Sequence, residues 1–343
     1  SSNSLSSRPM TWLQLIRQYD YSDAYVVLIP SAPGRHLSDS YHKFGYLKLR
    51  NAIRDWVCPH RSSESLPPPI LCQVSSLGLL NEQWLHEFFS SINYSTAESF
   101  DPINAVKATT KKQKEKRLPL ASRMKFVWPT MDEIRTSSVG WRGGGAVPGT
   151  INNLDGKSFL QPLFHRWSRR HSGTNNNRDP FRTARHIPHI KTYVQPSSSN
   201  GSGIDSLLLT SHNFSITAWG QVQIRDAEDA SNEKILRICH WELGVFISPS
   251  TLAKKLASSG VAGNDVCMAA YPGISAGGNA VINIDCEDDE DENDNTTKVL
   301  FPLPHGVEPD PYDHNDVAWA KDRGSHLPDA FGMIPAVSQR GVK

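Results

Sequence analysis

Cysteine is scarce in this chain, with five residues in 343: Cys58, Cys72, Cys239, Cys267 and Cys286. They lie far apart, form no CxxC pair and are odd in number. That excludes a disulfide framework or zinc site as the organising device and points to a reducing, intracellular compartment. Net charge is scarce too. At +1 the molecule is no polyelectrolyte, so any nucleic-acid surface must be a local patch. No apolar run approaches the roughly 18 residues of a membrane-spanning helix. The opening "SSNSLSSRPM" has no apolar signal-peptide core and reads as a cut in a longer chain. No GxSxG elbow appears, which disfavours a serine hydrolase. No repeat shows at periods of about 20 to 50 residues.

What is present suffices for a core: 38% hydrophobic residues and nine tryptophans. The length allows one large domain or two modest ones. Residues 1–10 read as a flexible leader, 11–337 as a single domain and 338–343 as a tail. Thr11 to Tyr19 reads as a short helix capped by Thr11. "AYVVLIP" (Ala24 to Pro30), "ILCQVS" (Ile70 to Ser75) and "MKFVWP" (Met124 to Pro129) read as strands. Tyr41 to Trp56 reads as a helix. Trp84, Leu85, Phe88, Phe89 and Ile92 make one apolar helix face. Phe159, Leu160, Leu163, Phe164 and Trp167 repeat that spacing. "KILRICHWELGVFI" (Lys234 to Ile247) adds one or two strands. Strands alternating with helices predict an α/β fold, helices packed on a mostly buried mixed sheet. Two polar runs interrupt it. Basic "KATTKKQKEKR" and acidic "CEDDEDENDN" have no apolar surface to offset ordering, so disordered insertions are expected near 101–120 and 286–297. The acidic run is not expected to hold a metal, since nothing pre-organises its carboxylates.

The chemistry concentrates in "PHIKTYVQPSSSNGSGIDSLLLTSHNFSITAWG", Pro188 to Gly220. It reads as strand, loop, strand and tight turn. Alternation puts His189, Lys191, Tyr193 and Gln195 on one face. A histidine beside a cationic lysine is costly unless an anion sits between them, and a phosphate supplies that charge. Lysine stabilises phosphate oxygens; histidine titrates near neutrality and moves protons or attacks phosphorus. After the second strand, Asn213 can bond the same oxygens, and Ser211 and Ser215 add hydroxyls. A single His-x-Lys pair is also an ordinary surface feature, so spacing alone does not establish a site. Trp219 reads as core, and His186 and His212 as structural or exposed. Arg35, after a strand-ending turn, meets either a phosphate or a surface carboxylate. Gly143 to Gly145 bring backbone N–H groups near a phosphate or form a plain turn.

"HIKTY…LLLTSHNFSITAWG" resembles the His-x-Lys…Asn motif in the second half of tyrosyl-DNA phosphodiesterases, members of the phospholipase D superfamily. "YVVLIPSAPGRH", "QVSSLG", "FVWPTMDEIRTSSVGWRGGG", "LFHRWSRRHSG" and "WELGVFISPS" resemble that half in the same order. "PYDHNDVAWAKD" fits the family's C-terminal segment less closely. Together the blocks cover most of Thr11 to Pro335. The resemblance implies a phospholipase D-like α/β fold with two pseudo-symmetric halves, each giving one His-x-Lys…Asn set to a central site. It implies metal-independent, two-step hydrolysis of 3′-phosphotyrosyl DNA through a phosphohistidine, a nuclear role in DNA repair, and no cofactor. His189 then resembles the general acid/base, Lys191 and Asn213 the oxyanion ligands, and Glu242 of "WELG" the acid that orients a catalytic histidine. Ser75 and Ser76 of "QVSSLG" match serines that hold the DNA backbone.

Only one His-x-Lys pair is present, and His42-Lys43 has the wrong spacing for one strand face. The attacking histidine must come from elsewhere: from the rest of a longer chain, from a separate first-half chain, or from a second copy about a two-fold axis. The first is expected. Two rival readings stay open: a DNA-end-binding half without chemistry, and a phosphodiesterase for a phospholipid or another diester. The missing half would cover apolar surface.

Overall fold

Nearly every aliphatic run in the sequence enters one large sheet, and the aromatic helix faces close over one side of it. The computed structural model describes residues 11–22, 24–57, 67–78, 80–93, 101–105, 119–168, 186–198, 202–225, 233–258, 266–272 and 297–335. The leader, the tail and most of both expected insertions lie outside these. Within the first insertion, Pro102–Ala105 forms a helical turn, and Thr297 opens a strand at the end of the second.

The strands are β1 (Val27–Ser31), β2 (Gly34–His36), β3 (Ile70–Gln73), β4 (Met124–Val127), β5 (Phe164–His165), β6 (Lys191–Pro196), β7 (Gly203–Thr210), β8 (Gln221–Ile224), β9 (Lys234–Ile238), β10 (Glu242–Ile247), β11 (Val266–Pro272) and β12 (Thr297–Leu303). The main sheet runs β1-β10-β7-β6-β3-β4-β5, with β11 joining β7 to β12. The pairs from β1 to β3 are antiparallel; β3-β4, β4-β5 and β11-β12 are parallel. A second sheet, β2-β9-β8, stands apart. The architecture is the expected mixed α/β one.

Register decides what each face does. Leu28 pairs Val245, Pro30 pairs Leu243, and Leu209 lies opposite both Val245 and Thr192, so these residues share one face. Lys191, Thr210, Gly244, Glu242 and Ser31 share the other. The helices Gly45–Trp56 and Glu82–Ile92 contribute to the core over this second face, which includes Tyr193, Leu208 and Phe246. The predicted apolar stripe Trp84, Leu85, Phe88, Phe89 and Ile92 is fully buried. It surrounds Phe214, whose ring lies 4.8–6.1 Å from those of Trp84, Phe88, Phe89, Phe126 and Tyr193. An aromatic pinned on five sides fixes the backbone beside it, and that backbone carries Asn213.

One helix expectation fails. Residues 158–163 form a 3-10 turn and Phe164–His165 a short strand. Pro162 lies inside the turn, has no N–H to donate and clashes with the preceding carbonyl of an α-helix. The i, i+4 spacing of Phe159 to Trp167 thus describes two elements.

Glu133 ties the C-terminal segment to this frame. It closes a capping box with Thr130, accepting the Thr130 N–H at 2.8 Å and donating its own N–H to the Thr130 hydroxyl at 3.1 Å. Its other oxygen accepts from the Ser168 N–H (2.7 Å) and hydroxyl (2.6 Å), and Arg166 lies 3.9 Å away. Arg166 in turn bonds Asp316 at 2.6 Å. Removing a buried charge that so many donors share strands its partners. Glu133→Ala is expected to cost about 3 kcal/mol, read from urea unfolding midpoints; a loss inside experimental error would show that these bonds are replaceable by water.

Candidate active site

The antiparallel pairing of β6 with β7 ends at Lys191 opposite Thr210. The start of one strand and the exit of the next therefore share one end of the sheet. β3 runs antiparallel to β6, so its exit, Val74 to Ser76, reaches the same end. β10 begins there with Glu242 opposite Ser31. Residues distant in sequence thus converge for reasons of strand direction alone.

His189 precedes the strand instead of lying in it. The ladder has no partner beyond Thr210, and the preceding residue is proline, so residues 187–190 run irregularly. His189 is exposed, and its side chain makes no hydrogen bond among the described residues. Lys191 is buried at the strand's first position, and its ammonium donates to the His189 carbonyl at 2.7 Å. Burial lowers its pKa, and the nearby Glu242 carboxylate partly offsets that shift. A lysine kept in place and partly desolvated is primed to exchange a backbone carbonyl for a stronger acceptor such as a phosphate oxygen.

Asn213, three residues past the end of β7, has a defined orientation. Its Oδ1 accepts both the backbone N–H and the hydroxyl of Ser75, each at 3.2 Å. With both donors on the oxygen, the amide NH₂ keeps its own donor capacity. Ser75 is itself buried. The resemblance had it holding a DNA phosphate; here its hydroxyl bonds Asn213 and is not open to a ligand. Ser76 is half-buried, and its carbonyl accepts the Phe214 N–H at 3.2 Å.

The remaining expected residues are also engaged. Ser215 caps the helix Ile216–Trp219 by accepting from the Ala218 N–H, and its hydroxyl lies 2.9 Å from that of Thr217. The exposed Ser211 donates to Glu242 at 2.6 Å and accepts the Leu243 N–H at 2.9 Å. Neither hydroxyl is free for phosphate as the sequence suggested. Glu242 is less buried than its apolar neighbours implied, because Leu243 is itself exposed. The carboxylate makes no hydrogen bond to His189; the histidine near it is His240, at 3.9 Å.

Trp219 is core, as read, and His186 is exposed. Gly143 and Gly144 act by packing. A Cβ on Gly143 would strike Ile187 and Val139, and one on Gly144 the Trp319 ring. Arg35 is exposed and donates to the Arg225 carbonyl, with no carboxylate partner among the described residues.

His212, read as structural or exposed, is structural. It is wholly buried, with Nδ1 2.5 Å from the Thr210 hydroxyl, Nε2 2.9 Å from the Ser31 hydroxyl, and its ring stacked on Trp219 at 4.2 Å. Its carbonyl accepts the Tyr193 hydroxyl at 3.2 Å. Burial pushes its pKa down to about 3. A neutral imidazole between two hydroxyls locks the turn that presents Asn213. Its two hydroxyl partners lie on different strands, Ser31 on β1 and Thr210 on β7.

A buried lysine, an oriented amide and an exposed histidine thus share one end of the mixed sheet of this α/β protein. The chain belongs to the tyrosyl-DNA phosphodiesterase family, whose model matches residues 4–313. It is 30% identical over 319 residues to tyrosyl-DNA phosphodiesterase 1 of Arabidopsis thaliana, covering 93% of this chain and 46% of that protein. To tyrosyl-DNA phosphodiesterase 1 of Drosophila melanogaster it is 27% identical over 249 residues, covering 71% of this chain and 37% of that protein. Its fold is similar to a crystal structure of the yeast tyrosyl-DNA phosphodiesterase, with a TM-score of 0.50 at 17% identity over 90% of this chain and 60% of that one. The chain spans about half the length of the curated relatives it matches.

Proposed function

We propose that this chain is the C-terminal catalytic half of a DNA-repair phosphodiesterase that hydrolyses 3′-phosphotyrosyl DNA, such as topoisomerase I adducts, in the nucleus. The observation that carries the reading is that Lys191 and an Asn213 amide whose oxygen is held by Ser75 lie at the same end of the sheet. The two are suited to the non-bridging oxygens of one phosphate, with His189 beside them free to move a proton. In the first step a histidine of the first half attacks phosphorus and the P–O bond to tyrosine breaks. His189, as imidazolium, gives its proton to the departing phenolate. In the second step the neutral His189 takes a proton from water, whose oxygen attacks phosphorus. The P–N bond breaks, and a 3′-phosphate and the free histidine remain. No metal or cofactor enters either step.

The need for a first half is supported by the sheet face opposite the helices Gly45–Trp56 and Glu82–Ile92. There Leu28, Leu209 and Leu243 are 53%, 46% and 54% exposed, with Ile190 beside His189 at 39%. Apolar surface clustered this close to a site calls for a cover, and the first half, or a second copy of this one, would supply both cover and nucleophile.

The test is tyrosine release from a 3′-phosphotyrosyl oligonucleotide. Turnover is expected from this chain joined to its first half, unchanged by EDTA. Loss of turnover on chelation would sink the metal-independent mechanism. Salt-sensitive DNA binding with no release under any pairing would leave a DNA-end-binding module in its place.

A further inference from the structure

The segment that carries His189 has no regular structure, yet it is pinned from behind. Pro188 is buried, while His189 and Ile190 are exposed. The Trp167 indole N–H donates to the His186 carbonyl at 3.0 Å. Ile187 packs onto the bare Cα of Gly143, where a Cβ would strike it. Three residues beyond His189, the buried Thr192 turns to the sheet face opposite Lys191. There its hydroxyl lies 3.1 Å from His305 Nε2. The Trp167 ring stands edge-on to the His305 ring, with centroids 6.3 Å apart. Trp167 thus reaches both ends of the segment, the His186 carbonyl directly and Thr192 through His305.

The tautomer of His305 follows from its partners. Nδ1 lies 3.0 Å from the Gly306 carbonyl, which only accepts, so Nδ1 carries the proton. Nε2 then accepts from the Thr192 hydroxyl. Burial keeps the ring neutral, with its pKa pushed down to about 4. Among the described residues, the ladder neighbours of Thr192 do not share this bond. Gln73, directly opposite and wholly buried, bonds nothing through its side chain. Leu209, on the other side, is apolar. The Thr192 hydroxyl therefore depends on His305.

We infer that Thr192, His305 and Trp167 are positioning residues that hold residues 186–190 in place and so set where His189 stands relative to Lys191 and Asn213. The inference rests on the proposed role of His189 in proton transfer. A group that moves a proton works only within hydrogen-bond reach of its target, and a displacement of about 1 Å can cost 10²-fold. His189 is exposed, and its side chain makes no hydrogen bond among the described residues. Its place must come from its backbone. The three residues reach that backbone from the sheet face that Lys191 does not occupy, so they act without touching phosphate.

Two variants test it, and thermal melts confirm that each folds. Thr192→Val removes the hydroxyl and keeps the shape; Trp167→Phe removes the indole N–H and keeps an aromatic ring. In this chain without substrate, the ¹⁵N order parameter of the His189 amide should fall from about 0.85 to below about 0.6 in both. Thr192→Ser should keep the wild-type value. In the chain joined to its first half, both variants should lower kcat for tyrosine release by roughly 10- to 100-fold with KM within about twofold, and Thr192→Ser should stay within about threefold of wild type. In an enzyme already carrying His189→Ala, Thr192→Val should add less than about twofold, because the two act through one group. A general loss of stability, or a disturbance of the adjacent Lys191, would add in full. An unchanged order parameter overturns the inference, as does a full further loss in the His189→Ala background. The catalytic reading fails separately, if His189→Ala keeps wild-type turnover. The order parameters need no turnover, so they decide in either case whether the three residues hold the segment.

Discussion

His189→Ala is expected to lower turnover of the assembled enzyme by about 10² to 10⁴-fold while leaving the chain as stable as before. The two halves of that expectation come from one observation. His189 precedes β6, is exposed, and lends its side chain to no hydrogen bond among the described residues. Surface positions of that kind change stability by less than about 0.5 kcal/mol, so a large activity loss would report chemistry and not unfolding. The loss should also fall unevenly on the two steps. Tyrosine leaves as a phenolate whose conjugate acid has a pKa near 10, so its departure depends only partly on a proton donor. Water is a far weaker acid and needs a base to attack. The variant should therefore accumulate the phosphohistidine on the first-half histidine, visible as a DNA-linked protein band that alkaline conditions preserve. Unchanged turnover would remove His189 from its role. Slow turnover with no accumulated adduct would move its role to the first step alone.

Much of this site was legible in the sequence because it is written in local terms. Lys191, the following Asn213 and the aliphatic runs around them need only strand periodicity and a turn to be read, whereas His189 falls before the strand, where alternation does not reach. Strand direction then explains why they meet. What escaped was whatever depends on a partner remote in the chain. Ser75 orients Asn213 from 138 residues away, so its hydroxyl looked like a free phosphate ligand. Ser31 closes on the His212 ring from a strand 181 residues away, while its other partner, Thr210, lies two residues back. The three-stranded sheet was invisible for a similar reason: "RICHWELG" breaks between β9 and β10 and sends its halves to separate sheets. The helix misread over Phe159 to Trp167 shows the opposite failure. A local signal, Pro162, was present and should have outweighed the apolar spacing. The Thr130-x-x-Glu133 capping box was equally readable and equally passed over.

Acid should destabilise this fold well above the range where its carboxylates titrate. Two buried histidines dominate the window, with His165 lowered by burial in the same sense. His212 has its pKa pushed down to about 3 and His305 to about 4, both mainly by burial. His305 is buried with Nε2 3.1 Å from the Thr192 hydroxyl and Nδ1 3.0 Å from the Gly306 carbonyl. In the unfolded chain each returns to a value near 6.5. The folded-state pKa is the lower one, so below about 6.5 the unfolded state binds protons that the native state refuses. Stability therefore falls as pH drops, and it goes on falling until the native imidazoles protonate near the folded-state values. At pH 5 both are still neutral in the native protein, and each costs ~2 kcal/mol relative to pH 7, roughly 4 kcal/mol together. That is a large part of the stability of an ordinary domain. The carboxylates held below their usual range, such as Asp329 with its three backbone donors, act only below this window and cannot mimic it. Urea unfolding at pH 7, 6 and 5 reads the slope. His212→Gln should remove about half of it, because a glutamine can bond the same hydroxyls without taking up a proton. A flat profile between pH 7 and 5 would mean that one or both imidazoles charge within the native state, and that the turn holding Asn213 opens to water more readily than its packing implies.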